Sequence, residues 1–360
     1  MDDVIAASTD PRRVLTFIDQ HFQLKEGSVE EPKRYLGSDV GKMSIPDDNT
    51  GKEYWYMGSG HYVKEAIRNV ENWLDEKGRA LKTKAAGVFP SAWIPEMDAT
   101  PSLTDPDLIN YYQQQIGILR WIVELGRIDI CCEVSMLAAF CAAPRVGHLE
   151  AVFHIYAYLK NHDRSRMVFD SSMPDIAESP KPDWSSYYGE LEEELPPDRP
   201  PPRGNHVMVT CYVDSSHGCC KLTRRSRTGV LLYVNRAPIN FYSKKQTSVE
   251  TSSFGSEFSA LRTACEMIIG LRYKLRMMGI PVPGPAIVRC DNMSVVSNSS
   301  VPDSVLKKKS LSIHYHFTRE CAARSIISVY YEPSETNWAD MLTKIQPGVV
   351  RLRLARNVLW

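Results

Sequence analysis

The sequence has no run of about 18 apolar residues, so no helix long enough to cross a bilayer is expected. Its start, M-D-D-V-I-A-A-S-T-D, is acidic and lacks the basic opening of a secretory signal. An intracellular location, cytoplasmic or nuclear, and no membrane partner follow as expectations. The 9 cysteines are odd in number and contain no C-x-x-C, and the adjacent pairs Cys131-Cys132 and Cys219-Cys220 are poor zinc geometry. They read as reduced thiols that fill core positions. Net charge is also missing, with 43 Lys+Arg against 43 Asp+Glu, but the balance conceals a division. Residues 206–360 hold 21 basic against 10 acidic side chains, and residues 163–205 hold 5 against 10. A basic C-terminal part behind an acidic segment fits a nucleic-acid footprint, although a solvated basic face gives the same arithmetic.

What is present is a set of four carboxylates: Asp214, Glu257, Asp291 and Asp340. Asp214 follows the alternating run V-M-V-T-C-Y-V, and Asp291 follows A-I-V-R-C. Glu257 lies in the first turns of an apolar helix, between Phe254, Phe258 and Leu261, and Asp340 opens a late helix in N-W-A-D-M-L-T-K. Acids at strand ends and helix starts can converge on one rim of a sheet. Convergent carboxylates repel one another unless cations neutralise them, and hard oxygen ligands favour Mg2+ or Mn2+. Two such ions are a known arrangement for in-line phosphodiester cleavage.

The chain divides by composition. Residues 1–45 read as strand, helix and strand, with Pro11 opening the helix and a turn at Gly41. Helices are expected over 60–84, 107–126, 129–143 and 147–160 from the spacing of apolar positions. Residues 163–205 form an acidic, Pro-rich linker with Trp184, Tyr187 and Tyr188 available to pin it down. From 206 the pattern turns to short strands, two of them meeting at Asn235-Arg236. A long helix follows over about 253–278, capped near Ser252 and stopped by Gly279 and Pro281. Strand 286–290, a loop or helix at 292–300, helix 310–323, strand 326–331 and helix 336–344 complete the unit. The expected architecture is α+β or α/β: a mixed sheet of about five strands with helices packed on it.

The words Y-V-D-S-S-H-G, R-R-S-R-T-G-V-L-L-Y-V-N, I-N-F-Y-S-K-K-Q, F-G-S-E-F, C-D-N, L-K-K-K-S-L-S-I-H-Y-H-F-T-R-E and W-A-D-M-L-T-K resemble, in order, the ribonuclease H domain of copia-type LTR retrotransposon polyproteins. P-K-R-Y-L-G resembles the segment after the reverse-transcriptase palm, and Y-Q-Q-Q-I-G-I-L-R-W-I-V-E-L-G-R-I-D-I the connection region. Met1-Asp2-Asp3-Val4 resembles the end of the polymerase Y-x-D-D motif, which would make Asp2 and Asp3 relics of metal ligands and DNA synthesis by this chain unexpected.

The resemblance implies four segments. Residues 1–162 would be a truncated palm end and thumb or connection region, mainly helical, and 163–205 a linker. Residues 206–347 would be a ribonuclease H-like domain, and 348–360 a tail. It implies hydrolysis of the RNA strand of RNA–DNA hybrids with two Mg2+ or Mn2+ ions. Asp214 would bridge both ions, Glu257 and Asp291 would complete one shell, and Asp340, its charge favoured by a helix N-terminus, the other. Candidates for hybrid binding are Ser215, Arg224, Arg225, Arg227, Lys244, Lys245, Asn292, Lys307, Lys308 and Lys309. His314 and His316 fall where some ribonucleases H carry an auxiliary histidine. A polymerase domain supplied by another chain is a further implied partner. The competing reading is an inactive remnant that binds nucleic acid or has only a structural role.

Overall fold

The computed structural model describes residues 4–6, 8–27, 29–45, 51–176 and 181–360. Asp2 and Asp3 lie outside these residues, and residues 4–6 are irregular where a strand was expected. The elements run, in chain order, α1 (Pro11–Asp19), β1 (Arg34–Tyr35), β2 (Ser38–Ser44), β3 (Glu53–Gly58), α2 (Gly60–Asp75), α3 (Pro106–Glu124), α4 (Cys131–Leu137), α5 (Val146–Asn161) and β4 (Arg166–Phe169). After a short α6 (Ser185–Tyr188) come β5 (Val209–Ser216), β6 (Arg227–Val234), β7 (Ala237–Lys245), α7 (Ser253–Met277), β8 (Ala286–Cys290), α8 (Met293–Ser300), α9 (Ser312–Ala323), β9 (Ile327–Tyr331) and α10 (Gly348–Ala355).

Local chemistry accounts for most boundaries. Pro11 and Pro106 open α1 and α3, each behind an Asp whose side chain accepts a backbone N–H. Ser252 caps α7 by accepting from the Gly255 N–H. Asn235, at φ 55°, turns β6 into β7, and its side chain accepts from the Met208 N–H at 2.9 Å. The turn expected at Gly41 lies instead at Leu36-Gly37, both with positive φ, in the two-residue loop that joins β1 and β2. Gly41 sits inside β2, paired with Tyr56.

Two sheets form among the described residues. The first, in order β1-β2-β3-β4, is antiparallel. Its last strand arises from residues that composition assigned to the linker. The final residue also joins it, because Arg166 and Trp360 exchange backbone hydrogen bonds of 2.8 Å. The second sheet has the order β7-β6-β5-β8-β9, antiparallel through β7, β6 and β5 and parallel through β5, β8 and β9. It is the mixed five-stranded sheet that was expected.

One face of this sheet, through Val209, Cys211, Val213, Val230 and Leu232, packs on Phe258, Leu261, Ala264 and Ile268 of α7. On the other side Leu231 and Tyr233 enter a core shared with α2, α3, α5 and the C-terminal Leu354, Val358 and Leu359. That double burial explains why T-G-V-L-L-Y-V reads as a nearly continuous apolar run rather than an alternation. Seven of the nine free thiols are buried. Trp184 is buried too, with the Arg319 guanidinium 4.7 Å from its ring, and Glu193 forks onto Arg272 and Arg276, so residues 184–193 are strapped to the second unit. None of the helices among the described residues is long and apolar enough to cross a membrane.

Candidate active site

The central strand β5 carries Asp214 near its end, opposite Gly229 of β6. On its other side β5 runs parallel to β8, with Val213 paired to Cys290. Asp214 and Asp291 each follow one member of that pair, so parallel register sets them side by side at the same sheet rim. Glu257 reaches the rim from the second turn of α7, which crosses β5. Asp340 arrives on a 3-10 turn, Trp338–Leu342, rather than the α-helix expected there. A five-residue 3-10 turn has little dipole to offer, so the proposed help from a helix N-terminus does not hold. Two contacts pin the turn beneath β5: Asn337 donates to the Val213 carbonyl at 3.0 Å, and the Trp338 ring stacks on Tyr212 at 4.4 Å.

The four acids fall into two overlapping groups that share Asp291. Oxygens of Asp214, Asp291 and Asp340 lie within 4.8 Å of one another, and Glu257 groups within the same limit with Asp291 and the Cys290 thiol. Burial pushes the Asp214 carboxyl up to about 6, with the Asp340 charge adding to it and Lys344 opposing it. Burial raises Glu257 well above the ordinary range, helped by the charges of Asp214 and Asp291. Asp291 is raised by burial and by Asp214. Burial also pushes the Cys290 thiol well above its ordinary range, and it lines the site beside Glu257 and Asp291. Glu257 Oε2 is buried without a hydrogen-bond partner. An unpartnered carboxylate oxygen beside three other acids is what an oxygen-liganded divalent cation would satisfy, so the donor set fits one.

Three residues that complete the site carried no signal of their own in the sequence. Thr343 donates its hydroxyl to Asp214. The Lys344 ammonium lies 2.5 Å from Asp340 Oδ1 and 3.5 Å from Asp214 Oδ2. Gly229 gives the 338–342 turn its place: a Cβ there would stand 2.6 Å from Thr343 Cγ2 and 2.9 Å from the Ala339 carbonyl oxygen. Gly229→Val is therefore expected to cost about 1–3 kcal/mol of stability by overpacking and to weaken divalent-ion binding, read by thermal melting with and without Mn2+. Unchanged melting and metal response would show that the turn does not depend on that close approach.

The binding candidates separate by exposure. Arg224, Lys244, Lys307 and Lys309 are exposed, and Arg225, Lys245 and Lys308 are partly so, Lys308 donating to Ser252 Oγ. Arg227 is buried, and it donates to Ser135 Oγ and Ser243 Oγ at 2.8 and 3.3 Å. That position gives it a structural task and removes it from a phosphate-binding surface. Ser215 is buried beside Gln246, and Asn292 caps α8. His314 is half-buried against Arg262, and burial lowers its pKa, while exposed His316 meets the Tyr188 hydroxyl at 3.0 Å. Neither histidine joins an acid cluster among the described residues.

No family model matches the chain. It is 22% identical over 349 residues to the retrovirus-related Pol polyprotein from transposon RE1 of Arabidopsis thaliana, which covers 96% of this chain and 20% of that protein. With the retrovirus-related Pol polyprotein from transposon TNT 1-94 of Nicotiana tabacum it shares 24% identity over 306 residues, 85% of this chain and 20% of the other. This chain is similar to the Pol polyproteins of transposons. It spans about one fifth of the length of these Pol relatives. Among solved structures, the N-terminal RNase H domain of a Mycobacterium tuberculosis protein, fused to maltose-binding protein, aligns at 15% identity with a TM-score of 0.30, covering 42% of this chain and 97% of that one. The five-stranded unit of this chain is a mixed sheet in the order β7-β6-β5-β8-β9 with helices packed on it, an α+β arrangement.

Proposed function

We propose that this Pol-like chain, of copia type, hydrolyses the RNA strand of RNA–DNA hybrids with Mg2+ or Mn2+ held by Asp214, Glu257, Asp291 and Asp340. The observation that carries the reading is the meeting of four acids from β5, α7, the end of β8 and the 338–342 turn, with one buried carboxylate oxygen left unpartnered. Two divalent ions bound there would supply an acidified water and positive charge beside the leaving oxygen. The chain's own part is orientation. Thr343 fixes the rotamer of Asp214, and Ser334 holds Asp291 Oδ2 at 2.8 Å. Gln246 ties β5, β6 and α7 together by donating to Ser215 Oγ, Thr228 Oγ1 and the Ser256 carbonyl at 3.4, 3.0 and 2.9 Å. The exposed Arg224, Lys244, Lys307 and Lys309 are suited to phosphate contacts, which are independent of sequence and sensitive to salt. Contacts to 2′-hydroxyls and to A-form shape would tell RNA from DNA. The same reading expects a polymerase segment, supplied by another chain, as a partner.

The test is cleavage of a labelled RNA–DNA hybrid by the purified chain with Mg2+ or Mn2+, beside Asp291→Asn. RNA-strand cutting that requires metal and disappears in Asp291→Asn is the expected result. A folded chain that binds the hybrid and never cuts it would identify a remnant that retains only binding. Neither cutting nor binding would leave a structural role.

A further inference from the structure

The four acids are not neutralised evenly. Asp340 and Asp214 share the Lys344 ammonium, at 2.5 and 3.5 Å. On the other side of the rim, among the described residues, no cation forms an ion pair with Glu257 or Asp291, the pairs at the site being those of Lys344 with Asp214 and Asp340. Glu257 Oε2 has no partner, and Asp291 Oδ2 accepts from the neutral Ser334 hydroxyl. Lys344 is also held where it is. Its backbone N–H donates to the Asp340 carbonyl at 3.1 Å, Thr343 before it contacts Asp214, and the turn carrying both is locked against Gly229. Its side chain is 38% exposed, which leaves the ammonium a path outward to solvent.

We propose that Lys344 is the resident cation of the Asp340 half of this site, and that a second divalent ion binds there only by displacing it. The inference rests on the reading of the four acids as metal ligands. It divides the site into an open half, formed by Glu257, Asp291 and one side of Asp214, and a half already occupied by the protein's own charge. A divalent ion entering the open half meets carboxylates that feel Lys344 only at a distance and have no ion pair to break. An ion entering the other half must break an ion pair first, and so binds more weakly. Lys344 is thus a positioning residue that sets the order and spacing of the two binding events.

Calorimetric titration of the chain with Mn2+ tests this, comparing the parent with Lys344→Met, Lys344→Gln and Lys344→Arg. The parent should take up one equivalent with a second at least about tenfold weaker. That gap corresponds to ~1.4 kcal/mol. Lys344→Met and Lys344→Gln should tighten the second event about tenfold and leave the first within about twofold, while Lys344→Arg, which keeps a cation, should retain the parental pattern. Running two neutral variants, each checked by circular dichroism, keeps the test decisive if one misfolds. A second affinity unchanged in the folded neutral variants would overturn the role of Lys344 while leaving the acids as ligands. No Mn2+ uptake by the parent would overturn the metal reading and this inference together. Uptake that Asp291→Asn leaves unaltered would do the same.

Discussion

Asp214→Asn is expected to lower RNA-strand cleavage by about 10^3-fold or more without lowering the melting temperature of the metal-free chain. The fold-loss matches the upper range for removing one preorganised electrostatic contact. The stability half follows from burial. Asp214 is 1% exposed and its carboxyl is pushed up to about 6, by burial first, with the Asp340 charge adding to it. A carboxyl whose folded pKa exceeds its unfolded value stabilises the fold only while protonated. That contribution is complete below about 4, the ordinary aspartate value, and is lost as pH rises through about 6. Glu257, also raised well above its ordinary value by burial, adds to the loss. The metal-free parent should therefore melt lower at pH 7.5 than at pH 5, and Mg2+ or Mn2+ should reverse the difference. Asp214→Asn removes one buried charge and its repulsion, so it should flatten this pH dependence. Melting curves at both pH values, with chelator and with metal, measure it. A variant that melts well below the parent in chelator would show that the Thr343 and Lys344 contacts make Asp214 a structural group instead.

Much of this site was legible in the sequence because each acid is placed by a local pattern. Alternation put Asp214 and Asp291 at strand ends, and the Ser252 cap put Glu257 early in α7. What stayed hidden depends on pairing between distant segments. β4 is four residues, R-M-V-F, in an acidic Pro-rich stretch, and it exists because β3 offers a partner edge. The turn bearing Asp340 reads as a helix by composition, but anchoring by Asn337 and Trp338 against β5 draws it into a 3-10 conformation. Gly229 sits in a strand where a β-branched residue would raise local propensity, and only the turn lying on it explains the missing side chain. Arg227 looked like a phosphate ligand because charge composition does not reveal burial, and its partners Ser135 and Ser243 lie on α4 and β7.

The same dependence on distant pairing makes Arg351 the residue whose loss should unfold the chain most readily. Arg351 and Glu133 are both fully buried, and the guanidinium donates to Glu133 Oε1 and to the Asp129 carbonyl. Asp129 is in turn gripped by Arg127 through two hydrogen bonds of 2.9 and 2.8 Å and by the Tyr158 hydroxyl at 2.9 Å. Truncating one partner of such a pair leaves the other charge buried alone, so Arg351→Ala should cost about 3–5 kcal/mol. Burial already raises the Glu133 carboxyl to about 7 with Arg351 present. Without that cation Glu133 would hold a proton to higher pH. The penalty should therefore shrink on acidification, and Glu133→Gln added to Arg351→Ala should recover part of it. Denaturant melts at pH 5.5 and 8 for the single and double variants provide the measurement, and a loss below about 1 kcal/mol at pH 8 would contradict it, since exposed pairs are worth no more than that.

The consequence reaches the acids, because α10 holds more than itself. Its Leu354, with Val358 and Leu359 beyond it, belongs to the core shared with Met341 and Leu342, which follow Asp340 in the 338–342 turn. Releasing α10 would loosen the turn that presents Asp340 and Lys344, and would free the β4 edge to which Trp360 is paired. Arg351→Ala should thus lose divalent-ion affinity even at temperatures where it remains folded, and amides of residues 166–169 should exchange faster. Intact metal affinity in the folded variant would instead confine α10 to general stability and separate the site from the clamp.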